Sequence, residues 1–389
     1  MRLYNLKKSL LCLALLTAFG IGFSACGGDD DHPTPTPPTN SGGGSQGDDP
    51  NDDPEDDNPT TASANFARGA DISWVTELEG KGYKFYPRNS ASPKELTQLL
   101  RDDCGVNAIR LRVWVNPDGG WNGLQDVLVK ARRARDLGMP VMIDFHLSDS
   151  WADPGKQNAP AAWTGFTPQQ TADAIGNHVH EVLAALHTEG IDVKWVQIGN
   201  ETTSGMLWNL GGTMKDQNAG EFPRYLNAGY DAVKSVYPNA NVIVHLDKGQ
   251  ANATYTWFFD LLKANGGKFD MIGMSLYPEV ESGSGSTWTV RVDNQAVNNC
   301  ISNIKALNSR YGKKIMLCEI GFHYTNETGA SQTIQKFIDE FASADILDGI
   351  FYWEPEAPEQ EGYKKGAFLN DRPTTALNPF VTLKQKVGK

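Results

Sequence analysis

The feature that most constrains this chain is a rhythm: eight short apolar runs rich in Val, Ile and aromatic residues, separated by segments with helical spacing. The runs are GADISWV (69–75), AIRLRVWV (108–115), VMIDFHL (141–147), VKWVQIGNE (193–201), VIVHLD (242–247), MIGMSLYP (271–278), KKIMLCEI (313–320) and GIFYWEP (349–355). Between them lie SPKELTQLLRDD, LQDVLVKARRARDLG, PQQTADAIGNHVHEVLAALHTEG and TIQKFIDEFASA, whose apolar residues recur at the helical period. Strands that alternate with helices are expected to be parallel. Eight such units predict an α/β fold, a (β/α)8 TIM barrel, formed by residues 65–389 as one domain.

In such a barrel the chemistry is built where the strands end. The polar and aromatic residues of the eight runs collect there: Asp71 and Ser73, Arg112 and Trp114, Asp144 and His146, Asn200 and Glu201, His245 and Asp247, Ser275 and Tyr277, Glu319, and Trp353, of which Asp71, Arg112, Asp144, His146, Asn200, His245, Tyr277 and Trp353 are expected to bind substrate. A single one of these is an ordinary solvated strand end, but ionisable groups on all eight give a purely structural barrel nothing. Period-two alternation puts Arg110, Arg112 and Trp114 on one face of the second strand, and Asp144 and His146 inward on the third. Arg112 lies nearer the rim and is assigned to the site, with Arg110 read as a buried, paired structural arginine.

Glu201 and Glu319, at the ends of strands four and seven, are expected to face each other across the barrel mouth. Glycoside hydrolysis needs such a pair, one carboxylic acid to protonate the leaving oxygen and one carboxylate to attack the anomeric carbon, roughly 5–5.5 Å apart in a retaining enzyme. Arg112 and Tyr277 are expected to keep Glu319 ionised, and the charge of Glu319 to raise Glu201. Asn200 is placed to bond a sugar 2-hydroxyl. Of the tryptophans near strand ends, Trp74, Trp114, Trp151, Trp163, Trp208 and Trp353, core packing is the default for any one. Trp353 is chosen as the sugar platform, with Trp114, Trp151 and Trp163 as secondary surfaces.

The N-terminal residues tell of export. Arg2, Lys7 and Lys8 precede an apolar run from Ser9 to Phe23 and a small-residue site before Cys26, the pattern of a signal peptide over residues 1–25. Cys26 resembles the acylation site of a bacterial lipoprotein, and CGGDDD resembles the export tag of Bacteroidetes surface lipoproteins. The expected location is the cell surface, on the outer membrane through a lipid anchor, with the periplasm as the alternative. Residues 26–64, PTPTPPTNSGGG followed by GDDPNDDPEDDNP, have too few apolar residues for a core and read as a tether. Its ten acidic residues carry most of the net charge of −12, so the rest of the chain is only mildly acidic. It has no basic stripe for nucleic acid, and a monomer is expected. The aspartates of the tether lack the Gly-centred loop and closing Glu of a calcium-binding EF-hand. Cys104, Cys300 and Cys318 are odd in number and match no metal spacing. They are read as mostly buried thiols, a disulfide being allowed but not demanded.

From about Phe66 to Phe380 the chain resembles glycoside hydrolase family 53, the endo-β-1,4-galactanases, within clan A of retaining barrel hydrolases. The stretches that carry the likeness are GADISWVTELEGKGYKFY (69–86), RLRVWVNP (110–117), DFHLSDSWADPGKQNAPAAW (144–163), the QIGNE block, EIGF (319–322) and YWEP (352–355). The resemblance implies Glu201 as acid/base, Glu319 as nucleophile, and β-1,4-galactan of pectin side chains as substrate, with no cofactor required. It also implies a cis bond between Trp353 and Glu354. Many bacterial members hold a structural calcium in long loops after strands seven and eight; the short EPEAPEQEGYKKGAFLND loop here argues against one. HLSDS stands where a tyrosine-containing version is commoner, which implies altered subsite preference. Two other readings are a clan A hydrolase of mannan, xylan or β-glucan, and a non-catalytic glycan-binding protein. A degenerate binder would be expected to lose Glu201 or Glu319, and both are present.

Overall fold

The computed structural model describes residues 64–388, so the signal peptide, Cys26 and the tether lie outside the described residues. Eight parallel strands close into a barrel. In chain order they are β1 (Ala67–Asp71), β2 (Ala108–Val113), β3 (Val141–Phe145), β4 (Val193–Ile198), β5 (Asn241–Leu246) and β6 (Met271–Leu276), then, after a hairpin of β7 (Glu279–Ser282) and β8 (Thr289–Val292), β9 (Ile315–Ile320) and β10 (Leu347–Trp353). β1 pairs with both β2 and β10, which closes the ring. Each of the eight apolar runs supplies one barrel strand. The first strand is shorter than its apolar run: it stops at Asp71, and Val75 opens a short helix to Gly80.

Local chemistry fixes the helices that cover the barrel. The longest, Pro168–Thr188, starts with Pro at its first position and a capping box in which Thr167 and Gln170 exchange side-chain and backbone bonds. The helix Leu96–Cys104 is capped by the Glu95 carboxylate, which accepts from Thr97 N and Gln98 N. The inner faces of these helices and the outward residues of the strands, such as Ile109, Leu111 and Val113 of β2, form one large apolar core.

Inside the barrel the inward residues stack in layers. Ala67, Ala108, Met142, Trp195, Ile243, Met271, Met316, Cys318 and Phe351 make an apolar floor. Gly69 admits the Phe351 ring to that floor, since a Cβ there would lie 2.1 Å from Phe351 Cδ1. Above the floor the next inward positions turn polar. On β9 the alternation breaks: Met274 pairs with Leu317 but Ser275 pairs with Glu319, a register shift that lets the adjacent Cys318 and Glu319 both face the interior. Cys104, Cys300 and Cys318 are all free and buried. Among the described residues no helix is long and apolar enough to cross a membrane.

Candidate active site

The first polar layer is organised by Arg110, which is 1% exposed. Its Nε donates to Gln197 Oε1 (2.7 Å), Nη1 to Asp71 Oδ2 (2.6 Å), and Nη2 to Asp144 Oδ2 (2.9 Å) and Asn200 Oδ1 (3.0 Å). Nη2 also stands 2.9 Å from Glu319 Oε1. Burial alone would depress Arg110, but Asp144, Glu319 and Asp71 outweigh it and hold the guanidinium firmly charged. The cation beside Glu319 is therefore Arg110, not Arg112 as the sequence suggested. Arg112 is one inward position further along β2, above the level of Glu319. There its Nη1 pairs with Glu354 Oε1 (3.1 Å), and its guanidinium lies 4.1 Å from the centre of the Trp151 ring.

Glu319 accepts from Tyr277 Oη (2.8 Å) on its other oxygen. Burial pushes its carboxyl up to about 7 against the opposing pull of Arg110 and Tyr277. Glu201 is raised further, first by burial and then by the charge of Glu319, with the Ser275 hydroxyl as the opposing donor. Close to neutral pH one proton stays on Glu201 while Glu319 gives up its own. The pair is thus poised as acid and nucleophile.

The turn that presents Glu201 is tightly specified. Gly199 has φ 84° and Glu201 φ 45°, both left-handed, and a Cβ on Gly199 would lie 2.5 Å from Thr202 Cγ2. A left-handed Glu is uncommon and held by its surroundings. Beneath it His245 Nδ1 lies 2.8 Å from Gln197 Nε2 and 3.4 Å from the Glu201 amide, so Nδ1 is assigned as the acceptor. Nε2–H then donates to Ser275 Oγ (2.8 Å), leaving that hydroxyl to donate to Glu201. Burial, Arg110 and His146 hold His245 well below its ordinary value, hence neutral.

These groups open into a cleft of about 500 Å³ at the carboxyl end of the barrel. Of the expected site residues, Glu201, Glu319, Asn200, His146, Tyr277, Trp151 and Trp353 line it. Four expected substrate contacts do not line it: Asp71, Asp144 and His245 lie buried below the cleft as its foundation, and Arg112 is buried against Glu354 and Trp151. Burial would raise Asp71, but Arg110 and Arg112, with two Ser73 donors, keep it below its ordinary value. Asp144 Oδ2 takes His146 Nε2 at 3.0 Å, so the ring's other nitrogen accepts from Ala152 N (3.0 Å) and Trp114 Nε1 (3.3 Å). Asn200 donates to Ala152 O (2.8 Å) and keeps a second amide hydrogen for a ligand.

The aromatic expectations divide. Trp353 meets Trp74 at 5.4 Å, Tyr363 at 4.7 Å and Trp151 at 5.9 Å between ring centres. Trp114 backs Trp151 (5.4 Å) without lining the cleft. Trp163 is no platform: it is 6% exposed and, at the end of the short 3-10 turn Ala161–Trp163, joins the outer apolar core. Every described peptide bond is trans, including Trp353–Glu354; the chain turns there through a left-handed Glu354 (φ 44°) instead. Trp74, for which core packing is the default, is part of the cleft wall, and Ala152, Asp153, Glu361, Gly362 and Tyr363 line it without having been singled out in the sequence; Arg110, read as structural, lies buried beneath it. Tyr363 sits in an irregular loop ten residues past β10, where no periodicity points to it.

A second cavity, about 380 Å³ at the opposite end of the barrel, is lined by Arg68, Lys194 and Lys384 and by no carboxyl group. Among the described residues no cluster of three or more His, Cys, Asp or Glu side chains is arranged to hold a metal ion. In the loop after β10, Glu354 is bound to Arg112 and Trp74 N, Glu356 is buried close to Glu354, and Glu361, in the cleft lining, accepts from Lys81 and Tyr83.

A closed eight-stranded barrel whose aromatic-walled mouth holds two carboxyl groups of unequal acidity defines a glycoside hydrolase. The chain belongs to glycosyl hydrolase family 53, whose family model matches residues 67–345. It is 30% identical over 322 residues to the endo-β-1,4-galactanase of Bacillus subtilis, covering 75% of this chain and 70% of that protein. To the arabinogalactan endo-β-1,4-galactanase of Humicola insolens it is 32% identical over 312 residues, or 74% of this chain and 89% of that one. Among solved structures, a fungal β-1,4-galactanase superposes with a TM-score of 0.71 at 26% identity, covering 81% of this chain and 98% of that chain.

Proposed function

We propose that the protein is an endo-acting, retaining β-1,4-galactanase that cleaves the galactan side chains of pectin, the type I arabinogalactans. The observation that carries this reading is the pairing of Glu201 with Glu319 in one cleft, in a chain whose characterised relatives are galactanases. A galactosyl unit lies on Trp353 with Asn200 at its 2-hydroxyl. Glu201 gives its proton to the glycosidic oxygen while Glu319 attacks C1, and the C1–O bond breaks as the glycosyl–Glu319 ester forms. Arg110 and Tyr277 hold the attacking carboxylate in line. Glu201, now ionised, takes a proton from water, whose oxygen displaces Glu319 from C1 with overall retention.

On a panel of purified polysaccharides, reducing ends should appear from galactan, with the β-anomer as the first product by NMR. Release from mannan, xylan or β-glucan alone, or from none, would overturn the reading. Glu319→Ala should lose activity on every substrate by at least about a thousandfold, whereas Glu201→Ala should keep turnover on aryl galactosides whose leaving group needs no proton. Equal residual rates for the two variants on such a substrate would refute the assignment of roles.

The N-terminal pattern supports a surface location through a lipid on Cys26, with residues 26–64 as the spacer. Wild-type protein should incorporate labelled palmitate and Cys26→Ala should not, and protease added to intact cells should release the domain. Protection until the outer membrane is broken would place it in the periplasm.

A further inference from the structure

The β7–β8 hairpin rises from the cleft wall and has no role in the mechanism above. It follows Tyr277 directly, and its base is pinned by one carboxylate: Glu279 accepts from His323 N (2.8 Å), Asn326 Nδ2 (2.9 Å) and Lys365 Nζ (2.8 Å). These partners belong to the turn after β9 and the loop after β10, so three rim segments are locked together. Near the hairpin's tip Trp288 is 37% exposed and belongs to neither apolar cluster. Its Nε1 donates to Glu281 Oε2 (3.3 Å), and its ring leans on His323 at 4.9 Å. His323 in turn stacks on Tyr324 at 4.6 Å, with planes 28° apart.

A tryptophan buried for stability would add its area to the core; this one is kept out of it. Its orientation is nonetheless fixed, by a ring neighbour and by its own N–H. We propose that Trp288, with His323 and Tyr324 behind it, forms a sugar-binding platform outside the cleft that holds a distant unit of the same galactan chain. The proposal rests on the reading of the protein as a galactan hydrolase and adds a site to it. The occupant follows from continuity: Tyr324 N donates to Lys364 O (2.9 Å), and the preceding residue, Tyr363, already lines the cleft. A chain leaving the cleft past Tyr363 meets Tyr324 and then Trp288. The exposed indole offers an apolar face to the C–H side of a pyranose, and the Glu281 and Glu359 carboxylates nearby accept from its hydroxyls.

The test compares Trp288→Ala and Trp288→Phe with the wild type on long-chain galactan and on the shortest β-1,4-galacto-oligosaccharide the wild type cleaves. The platform requires that Trp288→Ala lose about three- to tenfold in kcat/KM on the polymer, through KM, with little change on the oligosaccharide and an unchanged melting temperature. Trp288→Phe should recover most of the loss, since an aromatic face remains. Equal losses on both substrates, or no loss on the polymer, would overturn the platform. A wild type inactive on galactan is seen before any variant is compared and overturns the substrate reading; the platform is then read on whichever polymer is cleaved, against its own shortest oligosaccharide.

Discussion

Arg110 shares its donors among three carboxylates and two amide oxygens, and the acidity of the whole site hangs on how that charge is divided. Glu319 receives only part of it, and burial wins, with the carboxyl pushed up to about 7. Activity needs Glu319 ionised and Glu201 protonated. kcat/KM should therefore rise with pH through about 7 as Glu319 loses its proton, then fall where Glu201, held higher, loses its own. The Tyr277 hydroxyl stabilises the ionised form of Glu319, so its loss raises that pKa further. Tyr277→Phe should move the acid limb of the profile to higher pH by about one unit while leaving the alkaline limb in place. An acid limb that does not move would show that Tyr277 leaves the ionisation of Glu319 alone.

At the scale of elements, what could be read from the sequence was what repeats. Eight strands showed because each is an apolar run long enough to stand out, and their ends marked the site because polar residues interrupt those runs. Depth within the barrel did not show. Alternation placed both Arg110 and Arg112 inward, but which one reaches Glu319 depends on the stagger between neighbouring strands, a long-range property. Strict alternation even argues against Glu319, which would face outward with Leu317 had the β9 register not shifted. The same limit applies to Trp163: its place after a strand end says nothing of which way the loop turns its ring. The β7–β8 hairpin escaped because its strands have four residues each and are largely exposed, with no buried face to leave a pattern.

Across the whole molecule the buried acids set a pH dependence of stability. Burial, followed by the charge of Asp71, pushes Glu354 up to about 8, and burial with the charge of Glu354 raises Glu356 well above its ordinary value. Both Glu356 oxygens are buried without a hydrogen-bond partner. Folded protein holds these protons where unfolded chain has released them. Their contribution is therefore fully present below the ordinary carboxyl value of 4.5 and is lost as pH rises through the folded values, about 8 for Glu354. The melting temperature should fall from pH 5 to pH 9. Glu356→Gln, neutral at any pH, should melt above the wild type at pH 9 and close to it at pH 5; a gap that stays constant with pH would show that Glu356 does not titrate on unfolding. The barrel's three thiols have a different consequence. Cys104, Cys300 and Cys318 are unpaired and buried, and burial pushes Cys104 up to about 12, so all three are poor nucleophiles and poor targets for oxidants. The barrel can mature without oxidative enzymes, and its covalent structure bears no mark of the compartment in which it folded.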